Sequence, residues 1–300
     1  MDLWIPITIL AALSQTIRTA IQRHMKGPLG DYGASAIRFI YAIPFAWLWF
    51  LLVLQITEQK FPALNTQFLI WLTIGGIAQI LFTVFLIKLF SHKNFLVGIA
   101  LSKTEVLLIA SIEVLIMSTA ISLQFGAAIF LGTISVILLS LRGSLFSRKD
   151  IIGSVISKST YTGLIAGGFL AISVVAFRLS INSLSEGDFL IRATTAAAIG
   201  VVGQAIIMIL FLFIFRKAEL YAALKLWRPG LATGLFAAIT TAAWFSAFAL
   251  HRAAEVRAVG QIELIFSLAI TIFIFKQKLT KLELMGVLLL SSSILLVILQ

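Results

Sequence analysis

The sequence predicts an all-α integral membrane protein of ten transmembrane helices, arranged as two inverted five-helix repeats. Three observations lead there. The 300 residues are 60% hydrophobic and only 12% charged, whereas soluble domains carry roughly 25% charged residues. Ten apolar runs are each close to the ~20 residues that a bilayer span requires. Finally, two distant stretches of the chain echo each other.

The runs are 3–22, 34–54, 67–90, 94–116, 123–141, 160–181, 188–215, 230–250, 257–275 and 282–299. The first begins behind Asp2 rather than a basic leader, contains Arg18 and lacks a small-residue cleavage site, so it reads as a retained span and not a signal peptide. The apolar runs are continuous, whereas strands of a membrane barrel alternate. The longest polar connection, 142–159, divides the chain into a first repeat (1–141), a linker and a second repeat (160–300). Five spans per half is an odd number, so the second half must enter the membrane from the opposite side.

The echo supports that division. His92-Lys93 followed by Lys103-Thr104-Glu105 is answered by His251-Arg252 followed by Gln261-Ile262-Glu263. Gln124-Phe125-Gly126-Ala127 is answered by Leu284-Met285-Gly286-Val287. Inverted duplication in a very apolar chain is the pattern of secondary transporters, whose site lies near mid-membrane where the repeats meet.

The net charge is +11, but the bases sit in the gaps between spans and form no nucleic-acid stripe. On one side fall Arg23, Lys26, Lys88, Lys93, Arg142, Arg148, Lys149, Lys158, Arg216, Lys217, Lys225, Arg228, Lys276, Lys278 and Lys281, fifteen in all; on the other, Lys60, Arg252 and Arg257. The positive-inside bias therefore places the linker in the cytoplasm and both termini outside. Cys is absent, which excludes disulfides and thiolate metal sites. Gly-x-Ser-x-Gly, His-Glu-x-x-His and phosphate-loop signatures are also missing, so the sequence reads as neither an enzyme nor an ATP-driven pump.

Three segments carry a family resemblance. Gly33-Ala34-Ser35-Ala36-Ile37-Arg38-Phe39, the stretch Leu123 to Gly132, and Leu279 to Leu290 with Gly286 resemble the second-helix opening and the two fifth-helix motifs of the drug/metabolite transporter superfamily, in particular its EamA-like ten-helix members. The resemblance runs over essentially the whole chain. It implies a transporter of amino acids or other small metabolites, often an exporter, working by alternating access in the cell membrane (a bacterial inner membrane), with no cofactor. Two features depart from the pattern. Gln277 stands where such proteins commonly have a glutamate before the last helix, and the charges put the termini outside rather than in the cytoplasm.

Glu105 and Glu263 are the leading candidates for substrate or proton coupling, because intramembrane carboxyls are costly and mark pathways. The alternative is a structural pair, Glu105 with Lys103 or Lys88 and Glu263 with Arg257. Lys103 and Gln261, two residues before each glutamate, offer a cation and an amide to the same cavity, and Lys103 suits the anionic end of a zwitterion. With Lys103 nearby, Glu105 is the one expected to stay ionised, which leaves Glu263 as the expected proton carrier. Glu113, about two turns beyond Glu105, either extends a proton path or is solvated at the interface.

Arg38 and Arg192 open the second and seventh spans and read as a gate or anion contact, with Arg178 late in the sixth span. Arg18 reads as a snorkelling residue reaching headgroups. Trp244 and Phe248, four apart, are candidates for stacking on a solute or for packing. His92 and His251 read as interfacial residues. Gly163 and Gly167 form a Gly-x-x-x-Gly face for close helix approach. The expected partners are a small solute, protons and lipid. The rival readings are a uniporter or importer, or a membrane-embedded enzyme using Glu105 and Glu263.

Overall fold

The computed structural model describes residues 3–93, 95–105, 108, 123–140, 157–251, 256–257 and 259–298. Glu113, Arg252 and nearly all of the 142–159 linker lie outside them. The described chain is helical: α1 (Trp4–Ile40), α2 (Ile43–Thr57), α3 (Thr66–Leu89), α4 (Phe95–Ser102), α5 (Leu123–Ser140), α6 (Lys158–Ser183), α7 (Phe189–Phe215), α8 (Lys217–Lys225), α9 (Trp227–Leu250), α10 (Ile262–Ala269, running on as a π turn over Ile270–Ile274) and α11 (Lys281–Ile298). Five helical stretches, Trp4–Thr57, Thr66–Leu89, Lys158–Ser183, Phe189–Phe215 and Trp227–Leu250, are long and apolar enough to cross a membrane.

Sequence signals explain the boundaries. Asn65 accepts a hydrogen bond from the Phe68 amide at 2.7 Å and starts α3, and Asp188 accepts from Leu190 and Ile191 to start α7. Thr280 and Glu283 exchange backbone and side-chain bonds (2.8 and 3.2 Å) in a capping box that opens α11. The first two apolar runs are not separated by a loop. They join in one kinked helix, α1, with Pro28 inside it and Gly30 at φ +69°, a conformation natural only to glycine. The amides that this kink frees are satisfied from α8: Tyr32 and Gly33 donate to Glu219 Oε2 at 3.0 and 2.7 Å.

The most extensive helix packing joins α3 to α6, α1 to α9, and α5 to α11. Small residues permit the contacts. A methyl group on Gly163 would meet Leu101 at 2.9 Å, and one on Gly167 would meet Thr104 at 2.5 Å, so the Gly-x-x-x-Gly face of α6 lies against the end of α4. Gly286 faces Leu139, and Ser135 Oγ donates to the Gly286 carbonyl at 2.7 Å, tying α5 to α11.

Candidate functional site

Both echo segments break their helices at the charged residues. After Ser102 the chain makes a turn through Lys103 and Thr104, with the Lys103 amide donating to Ala100 at 3.0 Å. The hydroxyls of Ser102 and Thr104 donate to the carbonyls of Ile99 and Leu101, three residues back, at 2.7 and 2.9 Å. In the second half, Gly260 and Gln261 form the turn, and the amides of Glu263 and Leu264 donate to their carbonyls at 3.1 and 2.8 Å. Such breaks are tolerated in an apolar layer only where freed backbone groups find partners within the protein.

At these breaks the charges cross between the halves. Lys103 forms a buried ion pair with Glu263, and Arg257 forms one with Glu105. This corrects both structural pairings expected from the sequence. Glu105 meets neither Lys103 nor Lys88, whose ammonium donates to the Tyr32 hydroxyl at 2.9 Å, and Glu263 does not meet Arg257. Residues two apart project to different sides of a helical path, so Lys103 and Glu105 reach separate partners.

The pairs belong to a closed polar circuit. Gln15 Nε2 donates to Glu263 Oε2 at 2.7 Å, and its Oε1 accepts from Trp244 Nε1 at 2.9 Å. The Arg257 guanidinium lies over the Trp244 ring, 4.7 Å from the centroid, a cation–π contact of about 2 kcal/mol when desolvated. Trp244 also stacks on Phe248, with ring centroids 5.6 Å apart. Gly260 is required beside this ring, since a methyl group there would meet Trp244 at 2.5 Å. Gln261 is turned away: its Nε2 donates to the Arg257 carbonyl at 3.0 Å, while its Oε1 is buried without a partner.

Next to the circuit lies a cavity of about 30 Å³, space for one or two water molecules. Arg18, Arg38 and Arg257 line it together with Gln15 and Gln79. Phe82, Phe177, Trp244, Phe245 and Phe248 form its aromatic wall. The lining thus comes from α1, α3, α6, α9 and Arg257. Among the described residues, none of the cavity lining comes from the fourth or seventh apolar run. Glu105 and Glu263 stand behind the wall, each bonded to a lining residue, because a buried carboxylate is held by a cation or an amide rather than by solvent.

Arg18 overturns its expected snorkelling role. It is 2% exposed and faces the cavity; among the described residues its side chain is held by a 3.4 Å bond from Nη2 to Thr19 Oγ1, with Nε and Nη1 unpartnered. The sequence carried a signal in Gln15-x-x-Arg18, two polar residues three apart on one face of an apolar run. Arg38 is equally buried. It donates from Nη1 to Thr83 Oγ1 at 3.0 Å, lies over Phe39, and keeps an unpartnered Nε. It is therefore a cavity residue and not a gate at a mouth. Arg192 folds back onto the carbonyls of Asp188 and Leu184, at 3.4 and 3.5 Å. Arg178 is half-buried with its Nε unpartnered and does not line the cavity. His251 stacks on Trp4, with ring centroids 4.4 Å apart. His92 is exposed.

No protein-family model and no curated protein matches the chain. A solved structure described as "Crystal structure of protein" is similar in fold, with 12% sequence identity over 98% of each chain and a TM-score of 0.60.

Proposed function

We propose that this protein is a secondary transporter, an EamA-like member of the drug/metabolite transporter superfamily, that moves a small polar organic metabolite across the membrane by alternating access. The observation that carries this reading is the crossed pair of buried ion pairs, Lys103–Glu263 and Glu105–Arg257, at two helix breaks from opposite halves of the chain. Charges so placed are costly to bury, and broken helices at a repeat interface are where transporters hold solutes and ions. They also join the halves by bonds that a rocking motion can break and remake.

The helix packing supports an inverted repeat. Exchanging the halves maps the α3–α6 contact onto α9–α1 and carries α5–α11, α2–α7 and α4–α10 each onto itself; all of these contacts are present. The small cavity suits an occluded state, since a site for an organic solute needs roughly 300 Å³ or more and must open for loading.

Reconstitution tests the proposal. Proteoliposomes bearing the purified chain should accumulate at least one member of a panel of labelled amino acids, organic acids and amines, with counterflow, and a proton gradient should drive it. Correctly inserted protein that moves none of them would remove the transporter reading.

A further inference from the structure

Among the described residues, formal charge in the buried layer does not balance. Arg18, Arg38, Lys103 and Arg257 are each at most 3% exposed, and so are Glu105 and Glu263, giving four cations to two carboxylates. The crossed pairs use both carboxylates on Lys103 and Arg257. Among the described residues Arg18 and Arg38 have no ion-pair partner, although Glu263 exerts an attraction on Arg18 and the two arginines repel each other. Three guanidinium N–H-bearing nitrogens, Arg18 Nε and Nη1 and Arg38 Nε, are buried without acceptors. A charged donor buried without an acceptor costs more than a neutral one. The arginines are not held by packing alone, since both border the same cavity.

We infer that the cavity, when it opens from this closed form, is an organic-anion site, in which Arg18 and Arg38 take a carboxylate head and the aromatic wall takes an apolar, ring-bearing body. The inference rests on the transporter reading for the cavity's being the solute's route, and it narrows the solute to an anion. Planar guanidinium groups match the two oxygens of a carboxylate. Arg257 is not available for this task, being taken by Glu105 and the Trp244 face. Trp244, Phe245, Phe248, Phe177 and Phe82 give the body its surface. This lining disfavours small inorganic anions, which would gain the charge and leave the rings unused. It also disfavours organic cations, which would add a fifth positive charge to the layer.

The test uses the full chain in detergent micelles, with radiolabelled 3-phenylpropionate as probe and its uncharged amide, 2-phenylethylammonium and inorganic phosphate as competitors. The acid is expected to bind saturably and at least about tenfold more tightly than the amide, the factor set by one charge-assisted hydrogen bond. Arg18→Gln and Arg38→Gln should each weaken the acid by about tenfold or more and leave the amide unchanged. Arg38→Lys, which keeps the charge, should retain part of the affinity and controls for folding. Phosphate should compete poorly. No saturable binding of the acid, equal affinity for acid and amide, strong competition by phosphate, or unaltered binding in the Gln variants would each overturn the inference. Flux in proteoliposomes separates the two readings. Acid binding that depends on the arginines without flux removes the transporter and leaves the anion site, while flux of amines or neutral solutes without acid binding removes the anion site alone.

Discussion

Lys103 and Glu263, 160 residues apart in the chain, form a buried ion pair, and each has a neighbour on its own segment that reaches across in the opposite sense. Glu105 follows Lys103 by two residues and pairs with Arg257, which precedes Glu263 by six. A crossed arrangement of this kind resists sliding of one half along the other, because any shift lengthens both pairs together.

The first prediction concerns stability. Lys103→Met strands Glu263 with only the Gln15 amide, and Glu263→Gln strands Lys103. Each single change is expected to cost about 3–5 kcal/mol, the penalty for leaving one partner of a buried pair uncompensated. The double variant Lys103→Met/Glu263→Gln keeps an acceptor for Gln15 and removes both charges, so it should recover more than half of either loss. Thermal unfolding in detergent, read as a double-mutant cycle, checks this; additive losses would show that the pair does not act as a unit.

Proton coupling gives the second prediction. Sequence reasoning favoured Glu263 as carrier because Gln261 stood beside it, but the surroundings are otherwise. Glu263 Oε2 receives both Lys103 and Gln15. Glu105 has Arg257 on Oε1 and nothing on Oε2, which is buried without a partner. An oxygen without a donor is the place for a proton, and a proton there would loosen Arg257 from the carboxylate and from Trp244. Glu105→Gln should therefore abolish flux driven by a pH gradient while solute counterflow persists. Glu105→Gln protein that still concentrates solute with a proton gradient alone would exclude Glu105 as the carrier.

The helical fold was legible in the apolar runs, since each described run became a helix or part of one. What the runs could not show was how they break. Pro28 and Gly30 sit where a loop was expected, yet the break is confined to a kink at Gly30, Glu219 caps the freed amides from a helix nearly two hundred residues away, and the helix resumes beyond it. The carboxylates were legible as outliers in an apolar sequence. Their partners were not, because pairing depends on how α4 and α10 approach, and that approach is set by glycines such as Gly167 and Gly260. Arg18 was read as snorkelling because its position near a span end outweighed Gln15, three residues earlier on the same face. Only the packing of α1 against α9 turns that face inward.

Gly167 carries the third prediction. Its missing side chain lets α6 touch the turn after α4, and an added methyl would lie 2.5 Å from Thr104 Oγ1 and 3.2 Å from the Ser102 carbonyl. Gly167→Ala is expected to destabilise by about 1–3 kcal/mol, as overpacking does, and to slow flux by displacing Lys103 and Glu105. Adding Thr104→Ala removes the nearer obstacle and leaves the carbonyl, so rescue should be partial. Unfolding temperatures and flux rates of the single and double variants check this, and a fully active, fully stable Gly167→Ala would refute the close approach.

The last prediction is the orientation, and contacts at the two ends of the molecule bear on it. The loop bias of fifteen Lys and Arg against three comes from sequence and assumes that the loops assigned to each side share that side. Contacts link the basic loops at one end: Glu219 with Tyr32 and Gly33, Arg23 with Gln277, and Lys26 with Ser91. At the other end Gln59 accepts from the Asp188 amide at 3.0 Å, Glu186 accepts from the Ala63 amide at 3.1 Å, and Asn65 donates to the Ser183 carbonyl at 2.6 Å. Arg257 leaves the count altogether, since it is 3% exposed and paired with Glu105 rather than placed in a loop. The minority side keeps Lys60 and Arg252, so the bias sharpens. The basic end should face the cytoplasm, which puts the 142–159 linker inside and residue 300 outside. A reporter active only outside the cytoplasm should work when fused after Gln300 and fail when inserted between Arg148 and Asp150. A cytoplasm-only reporter active after Gln300 would invert the orientation while leaving every contact named here intact.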